Sequence, residues 1–185
     1  MTRKLIIVLG KVGHGKTFLI KKLRRNLKRV ITIDLMNEYD GTIFYSFLEL
    51  LDFVKDKNEF NVVLRVEDNF DVEYIFRLCW ELRNVWLVIE EAHLYISPMN
   101  PSNDFLKLVN FGRHREINII ASSRRVPELS IYLRSQFTSI ITFRQTEFRD
   151  LENLKSLGFD INKVKNLEKY KYESMGENEK EFLQA

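Results

Sequence analysis

The chain has 185 residues and a formal net charge of +3, with 45% hydrophobic and 30% charged residues. These values are typical of one globular domain, expected to span residues 1–185, and the small net charge does not by itself indicate a nucleic-acid partner. Cys79 is the single cysteine, no apolar run approaches the ~20 residues of a membrane span, and the N-terminus lacks a signal-peptide pattern. We therefore expect a cytoplasmic protein without a membrane span or an internal disulfide.

Short apolar runs alternate with helical hydrophobic periods along the whole chain. The runs predict strands at residues 5–9, 30–34, 61–66, 85–89, 117–121 and 139–143. Helices are predicted from residue 18 onward, over 47–54 behind a Ser46 cap, from an Asp71 cap to residue 82, over 104–111 with closure by Gly112, from Pro127 to about residue 134, and over 147–157. A weak alternation at residues 170–172 is compatible with an additional edge strand. This order predicts an α/β sandwich, in which helices flank a mainly parallel sheet.

The stretch after the first predicted strand is a candidate phosphate-binding loop, or P-loop. It fits the pattern G-x-x-x-x-G-K-[ST] with Gly10, Lys11, Val12, Gly13, His14, Gly15, Lys16 and Thr17, and Phe18 follows in the next helix. The glycines allow backbone N–H groups to point at phosphate oxygens above the positive end of that helix. Lys16 is expected to reach the β- and γ-phosphates of ATP, and the Thr17 hydroxyl to ligate Mg²⁺. Residues 10–18 are therefore the candidate nucleotide-binding residues.

The fourth predicted strand ends in two adjacent acids, Glu90 and Glu91. A carboxylate at the end of such a strand holds Mg²⁺ through its water shell, and Glu90 takes this position, where Asp is the more usual residue. Glu91 is suited to orient and deprotonate an attacking water, although a surface charge at a strand end is the alternative interpretation. Because small-molecule kinases receive their nucleophile with the substrate, the second acid favours ATP hydrolysis.

Basic residues crowd the segment after the P-loop, namely Lys21, Lys22, Arg24, Arg25, Lys28 and Arg29. Cations are favoured near a helix C-terminus, so a solvated outer face is the preferred interpretation. Contact with a polyanion is the alternative.

Three segments together resemble the HerA/FtsK superfamily of P-loop ATPases. They are the P-loop, the segment Leu87-Val88-Ile89-Glu90-Glu91-Ala92-His93, and the Arg-rich segment at residues 112–125. Within the superfamily, residues 5–157 are similar to the compact genome-packaging ATPases of membrane-containing icosahedral viruses, and Zot-type ATPases of filamentous phage are also similar. The resemblance implies a three-layer, RecA/ASCE-like P-loop NTPase fold. It further implies an ATP-driven motor, usually a homo-hexameric ring, that translocates double-stranded DNA in the host cytoplasm or virion, with capsid or portal proteins as partners.

The resemblance also assigns roles to residues around the fifth predicted strand. Superfamily members place this sensor strand between the strands that carry the P-loop and the acidic pair, so its end faces the γ-phosphate. Many carry Gln where this chain has Ser123, whose hydroxyl can still bond to phosphate or to the attacking water over a shorter reach. Arg113 takes the position of an arginine that acts on the ATP of a neighbouring subunit, with Arg115 as the alternative. Arg124 and Arg125 compete for related roles. A solvated loop cation is the competing interpretation for each of Arg113 and Arg115.

Three functions compete at this point. The leading one is an ATPase that translocates double-stranded DNA, in particular for packaging a viral genome. The second is a Zot-type assembly or export ATPase that acts on a protein or a filamentous-phage particle. The third and weakest is a small-molecule or nucleoside kinase. No DNA-reading motif separates the first two.

Overall fold

The computed structural model describes residues 3–65 and 69–176, and its centre is one mixed sheet. The strands are β1 (Leu5–Leu9), β2 (Arg29–Ile33), β3 (Thr42–Phe44), β4 (Phe60–Leu64), β5 (Val85–Ile89), β6 (Ile117–Ser123), β7 (Ser139–Phe143) and β8 (Tyr172–Gly176). They follow the order β3-β4-β2-β5-β6-β1-β7-β8. Neighbouring strands are parallel except for β7 and β8, which are antiparallel. The predicted α/β fold with a mainly parallel sheet is confirmed.

Helices cover both faces of the sheet. They are α1 (Lys16–Arg24), α2 (Phe47–Val54), α3 (Asn69–Leu82), α4 (Asn103–Phe111), α5 (Ile131–Ser135), α6 (Phe148–Ser156) and α7 (Ile161–Lys165). Successive residues of β1 alternate between the faces: Leu5, Ile7 and Leu9 join a large hydrophobic cluster with α2 to α7, whereas Ile6 and Val8 join a smaller cluster with α1. Because both faces are buried at β1 and β5, these parallel strands are continuously apolar, which is why the sequence locates them well. Across the described ranges, no helix has the length and apolarity needed to cross a membrane.

The sheet order brings the predicted site segments together. β6 lies between β5 and β1, as the resemblance implies for a sensor strand. Since these strands are parallel, their ends at Leu9, Ile89 and Ser123 lie on one side of the sheet, here termed the carboxyl edge. The side where the same strands begin is the amino edge. The P-loop and both acids follow strand ends, so they lie at the carboxyl edge.

The structure corrects several element boundaries. The segment from Pro127 to residue 134 is not one helix, because a 3₁₀ turn over Val126–Glu128 is followed by extended backbone at Leu129 before α5 begins. β6 continues to Ser123, two residues beyond the predicted end at residue 121. α3 begins at Asn69, so Asp71 lies in its first turn and is not the cap.

Further differences concern the edges of the fold. The pattern does not predict β3, whose three residues pair with β4 and are too few to show a period. Gly112 has φ −57° and continues from α4 into a 3₁₀ turn over Gly112–Arg115, so it does not end the helix in the left-handed way. Ser46 precedes α2, but its side chain makes no cap hydrogen bond. The predicted end of β4 at Val66 lies outside the described residues. The edge strand β8 forms from Tyr172 onward.

Candidate active site at the carboxyl edge

The P-loop connects β1 to α1, and two of its glycines are required by local geometry. Gly15 has φ +107°, in the left-handed region that residues with side chains rarely adopt. A Cβ at Gly10 would lie 2.9 Å from the Cβ of Phe143, so this position has no room for a side chain. The Gly10 amide donates to the Ser123 carbonyl at 3.2 Å and so joins the loop to β6. The loop therefore has the curled backbone that phosphate binding requires.

Lys16 connects the P-loop to the acidic pair. Its side chain is buried, and its Nζ donates to the Gly10 carbonyl at 3.0 Å. The same Nζ lies 3.2 Å from Glu91 Oε1. Two motifs that are far apart in the sequence thus meet through one ion pair.

The Thr17 hydroxyl lies between two carboxylates. Its Oγ1 donates to Glu38 Oε2 at 2.5 Å and lies 3.5 Å from Glu90 Oε1. Hydroxyl and carboxylate oxygens are the ligands that Mg²⁺ prefers, so this donor set fits the ion that the P-loop implies. Glu38 is a site residue that the sequence interpretation missed. One signal in the sequence could have found it. Glu38 is an acid four residues after Asp34, in the loop that follows β2, and β2 is the neighbour of β5 in the sheet.

Glu90 is only 4% exposed and is held from behind by Tyr39. The Tyr39 hydroxyl donates to Glu90 Oε2 at 2.5 Å, which leaves Oε1 on the side of Thr17. Burial raises the pKa of the Glu90 carboxyl, while the hydrogen bond from Tyr39 and the charge of Lys16 oppose that rise. Tyr39, a second missed residue, therefore stabilises the ionised carboxylate in one orientation.

Tyr39 itself is fixed by charged groups packed around it. The buried Asp34 carboxylate accepts from the backbone amides of Glu38 and Tyr39 at 3.1 and 2.8 Å. Arg65 donates to the Tyr39 carbonyl at 2.8 Å, and the Arg24 guanidinium lies 5.1 Å from the Tyr39 ring centroid. Burial and the neighbouring Glu90 charge raise the pKa of the Tyr39 hydroxyl, which keeps it a donor.

The solvated-face interpretation of the basic helix is wrong for Arg24. This side chain is 3% exposed. Its guanidinium donates to the Asp40 carbonyl at 2.9 Å and to Asn61 Oδ1, so it supports the loop that carries Glu38 and Tyr39. Burial lowers the pKa of Arg24, against the opposing charges of Asp34 and Asp40.

Glu91 is not a surface charge, because its side chain is 12% exposed. Its backbone has φ +46°, a strained conformation for a residue with a side chain, and its amide donates to Ser122 Oγ at 2.9 Å. Its Oε2 lies 3.4 Å from His93 Nδ1 and 3.9 Å from Arg124 Nε. Strain and burial at this position are typical of functional residues.

The two serines that end β6 face different partners. Ser122 accepts from the Glu91 amide, whereas Ser123 Oγ donates to Glu128 Oε2 at 3.1 Å. Both serines are buried. Ser123 reaches the carboxyl edge as predicted, but its hydroxyl is directed to Glu128, and Ser122 is the serine that contacts the acidic pair.

Arg113 lies at the opposite side of the sheet from the P-loop, since the turn Gly112–Arg115 precedes β6. It lines an amino-edge cavity of about 440 Å³ together with Arg3, Asn110, His114, Gln136 and Thr138. Arg3 is anchored there by bonds to the carbonyls of Leu108, Val109 and Ile117. Burial and the charge of Arg113 lower the pKa of Arg3 to about 10. Arg113 therefore cannot act on nucleotide bound to its own P-loop.

The other candidate arginines have partners within the chain. Arg115 donates to the Trp80 carbonyl at 2.9 Å and lies 4.3 Å from the Trp80 ring centroid, which favours a structural role. Arg125 donates to Asp150 at 2.9 Å, and this bond raises the pKa of Arg125. Arg124 Nη2 lies 3.0 Å from His93 Nε2, so Arg124 belongs to the surroundings of Glu91.

These groups enclose a cleft of about 330 Å³, here termed the P-loop cleft. It is lined by Val12, Gly13, Gly15, Lys16, Thr17, Phe18, Met36, Glu38, Glu90, Glu91 and Tyr170. The side chains of the predicted residues Lys11 and His14 make contacts of their own: Lys11 donates to Thr146 at 2.8 Å, and His14 Nδ1 lies 3.2 Å from the Val12 carbonyl. Tyr170 is a further residue that the sequence interpretation did not assign to the site.

Several solved structures share this fold. The genome packaging NTPase B204 from Sulfolobus turreted icosahedral virus 2, in complex with sulfate, has a TM-score of 0.78 at 20% identity over 96% of this chain and 93% of that chain. The N-terminal domain of zonular occludens toxin from Neisseria meningitidis has a TM-score of 0.57 at 14% identity over 90% and 99%. VirB4 of Thermoanaerobacter pseudethanolicus has a TM-score of 0.59 at 11% identity over 92% and 88%. At these identities the similarities show the fold.

Sequence comparison adds the family. A search of functionally curated proteins found no match to the chain. The model of a P-loop family described as AAA domain matches residues 1–124, which include the P-loop, both acids and β6. The resemblance to compact viral packaging ATPases and Zot-type ATPases is confirmed in the fold. Since the match covers more than half of the sequence, the chain belongs to this AAA domain family of P-loop proteins.

Proposed function

We infer that this chain hydrolyses ATP in the P-loop cleft and uses the energy to translocate double-stranded DNA. The observation that carries the hydrolysis is the contact between Lys16 Nζ and Glu91 Oε1 at 3.2 Å. It places a candidate phosphate-binding cation and a candidate general base at one point above the N-terminus of α1. B204, whose fold this chain shares, binds AMPPCP and ATP-gammaS, which supports a nucleotide as the ligand.

The residues of the cleft divide the chemistry among them. Backbone N–H groups of the P-loop hold the phosphates, and Lys16 leaves Glu91 for the β- and γ-phosphates. Thr17, Glu90 and Glu38 would hold Mg²⁺, which supplies positive charge against the phosphate oxygens when bound. Glu91, released from Lys16, orients the attacking water and accepts its proton. Ser122 holds the backbone of Glu91 during this exchange, through the 2.9 Å hydrogen bond that it accepts from the Glu91 amide.

A ring of subunits, expected to be a homo-hexamer, would supply the remaining cation. Arg113 lies at the amino edge, remote from its own P-loop, so a catalytic role requires the P-loop of another copy. An arginine supplied in this way stabilises charge on the transferring phosphoryl group. The bonds of Arg115 to Trp80 leave Arg113 as the preferred residue.

Double-stranded DNA is the preferred cargo, because the TM-score to the genome packaging NTPase B204 is 0.78, against 0.57 for zonular occludens toxin. A viral role in the host cytoplasm or virion, with capsid or portal partners, belongs to the same proposal. Export of a protein or phage particle is the second candidate. A kinase is disfavoured because the buried Glu91 already provides a base for water.

The test is the ATPase rate with and without double-stranded DNA of unrelated sequences, together with the mass of the protein in solution. We expect several-fold stimulation by DNA of any sequence, loss of DNA binding as salt rises, and a mass that fits a ring. Lys16→Ala is the control for contaminating ATPases. Hydrolysis without DNA binding even at low ionic strength would favour the export motor.

A further inference from the structure

A second cavity adjoins the P-loop cleft and differs from it in chemistry. Its volume is about 540 Å³, and it lies between α1 and the β7–β8 edge of the sheet. Its lining residues are Gly15, Phe18, Leu19, Lys22, Phe143, Tyr170 and Tyr172, and it is termed here the aromatic groove. Gly15, Phe18 and Tyr170 line both cavities, so the aromatic groove and the P-loop cleft share a wall.

Tyr170 is held in an unusual conformation beside the P-loop. Its φ of +68° is in the left-handed region, which is a strained position for an aromatic residue. A Cβ at Gly15 would lie 3.3 Å from Tyr170 Cδ1, so the ring edge lies beside the P-loop backbone. The residue is nevertheless 61% exposed. A residue in a strained backbone conformation therefore lines the opening of the P-loop cleft.

Phe18 forms the other side of this opening. It lies in the first turn of α1 and is 77% exposed, which leaves a large apolar surface in water without a partner from the described chain. Deeper in the groove, the rings of Phe143 and Tyr172 pack edge to face at 5.7 Å between centroids. The groove thus offers exposed aromatic surface at its mouth and a packed aromatic base, which is suited to a flat ligand.

We propose that the aromatic groove binds the base of the nucleotide whose phosphates lie in the P-loop, with Tyr170 and Phe18 as the stacking residues. The proposal rests on the nucleotide binding inferred above. The shared wall indicates which ligand the groove takes. A nucleotide whose phosphates lie over Gly15 and Lys16 can extend its base past this wall, next to the rings of Phe18 and Tyr170. Tyr170, at the far end of the sequence, then belongs to the nucleotide site.

The groove offers a base aromatic faces, and the polar side-chain atoms of its described lining are the Lys22 ammonium and the hydroxyls of Tyr170 and Tyr172. Among the described residues that line it, none has a carboxylate or amide side chain that could pair with a base edge. Sites that discriminate strongly do so by hydrogen bonds that the wrong ligand leaves unmade. We therefore expect ATP and GTP analogues to bind with affinities within about tenfold of one another.

The test compares two ligands that share the phosphates and differ in the base. Calorimetric titrations of the full chain with AMPPNP and with inorganic tripolyphosphate, both with Mg²⁺, are made on wild type, Tyr170→Ala, Tyr170→Phe and Tyr45→Ala. Tyr45 is an exposed tyrosine outside both cavities and serves as the matched control. GMPPNP replaces AMPPNP in a further titration of wild type.

We expect Tyr170→Ala to weaken AMPPNP about tenfold and to leave tripolyphosphate unchanged, because only the base loses a stacking partner. Tyr170→Phe and Tyr45→Ala should bind both ligands like wild type. Equal losses for both ligands would show that Tyr170 only supports the P-loop backbone, and no loss for either would exclude the groove; both results overturn the proposal. A preference clearly above about tenfold for one purine would overturn recognition by stacking alone. If wild type binds neither ligand, the ATPase proposal fails as well.

Discussion

At the carboxyl edge of the sheet, cations and acids lie in contact within one chain, whereas the amino-edge cavity has cations without acids. Lys16 lies 3.2 Å from Glu91, and Thr17 lies between two carboxylates. Among the described residues that line the amino-edge cavity, Arg3 and Arg113 are the arginines and none is acidic. The first edge can bind phosphate and activate water by itself, while the second is complementary to a negative group from outside the chain.

Strand direction explains the difference. Loops that follow parallel strands lead into helix N-termini, whose unpaired N–H groups favour anions, so phosphate chemistry collects at the carboxyl edge. The amino edge receives helix C-termini, and Arg3 illustrates this by donating to the last carbonyls of α4. A cation there is not available to the same chain's P-loop. The two edges can cooperate only when subunits place one against the other.

The largest effect is expected for Lys16→Ala, which removes the cation of the carboxyl edge. Turnover of ATP should be abolished, because no neighbouring cation can replace the contact to the β- and γ-phosphates. The measurement is phosphate release at saturating ATP, with Lys155→Ala as an exposed control on α6. Full turnover in a folded Lys16→Ala protein would refute the P-loop assignment.

Arg113→Ala tests the amino edge. ATP binding should stay nearly normal while turnover falls by on the order of 10³-fold, the loss typical of a missing arginine finger. Mixed with Lys16→Ala subunits, it should regain some activity, because some interfaces then join an intact P-loop to an intact Arg113. Arg149→Ala, an exposed arginine on α6, is the control. A single mutant with full activity contradicts the role, and a loss that mixing cannot repair would show action within one subunit.

Glu91→Gln and Glu90→Gln test whether the two acids at the carboxyl edge have different roles. Glu91→Gln should bind ATP but slow hydrolysis by roughly 10²–10⁴-fold, because an amide cannot accept the proton of water. Glu90→Gln should instead weaken the Mg²⁺-dependent part of nucleotide binding. Calorimetry with and without Mg²⁺ and single-turnover rates separate the two effects. Identical behaviour of both variants would show that the proposed division of roles is wrong.

The sequence predicts the fold well because its strongest signals are local. Buried parallel strands are continuous apolar runs, and the bounds of β1, β5 and β7 match the prediction. The P-loop and Glu90-Glu91 were recognisable because each motif is contiguous. The predicted ends of helices and strands are less accurate. At Leu129, for example, extended backbone interrupts a segment whose sequence pattern is helical, and this interruption depends on the folded chain.

The supporting residues of the site could not be predicted, because they meet it through the fold. Glu38 is 21 residues from Thr17, and Tyr39 is 51 residues from Glu90. Glu38 and Tyr39 reach the site because β2 and β5 are neighbours in the sheet. The apolar pattern of either strand does not show this pairing. Tyr170 approaches Gly15 only because β8 pairs with β7. Long-range pairing, not composition, decides these contacts.

The smallest expected effect is that of Tyr39→Phe, which tests how the carboxyl edge orients Glu90. The variant removes the hydroxyl that donates to Glu90 Oε2 and keeps the ring that packs on Arg24. We expect the Mg²⁺ concentration for half-maximal nucleotide binding to rise about three- to tenfold, since a hydrogen bond to a charged group contributes about 1.5–3 kcal/mol and water can replace part of it. Tripolyphosphate binding without Mg²⁺ should not change.

Tyr45→Phe, at an exposed position, is the matched control. If Tyr39→Phe lowers the melting temperature but leaves the Mg²⁺ requirement unchanged, Tyr39 only stabilises the fold. An unchanged melting temperature with a raised Mg²⁺ requirement would show that its hydroxyl positions Glu90.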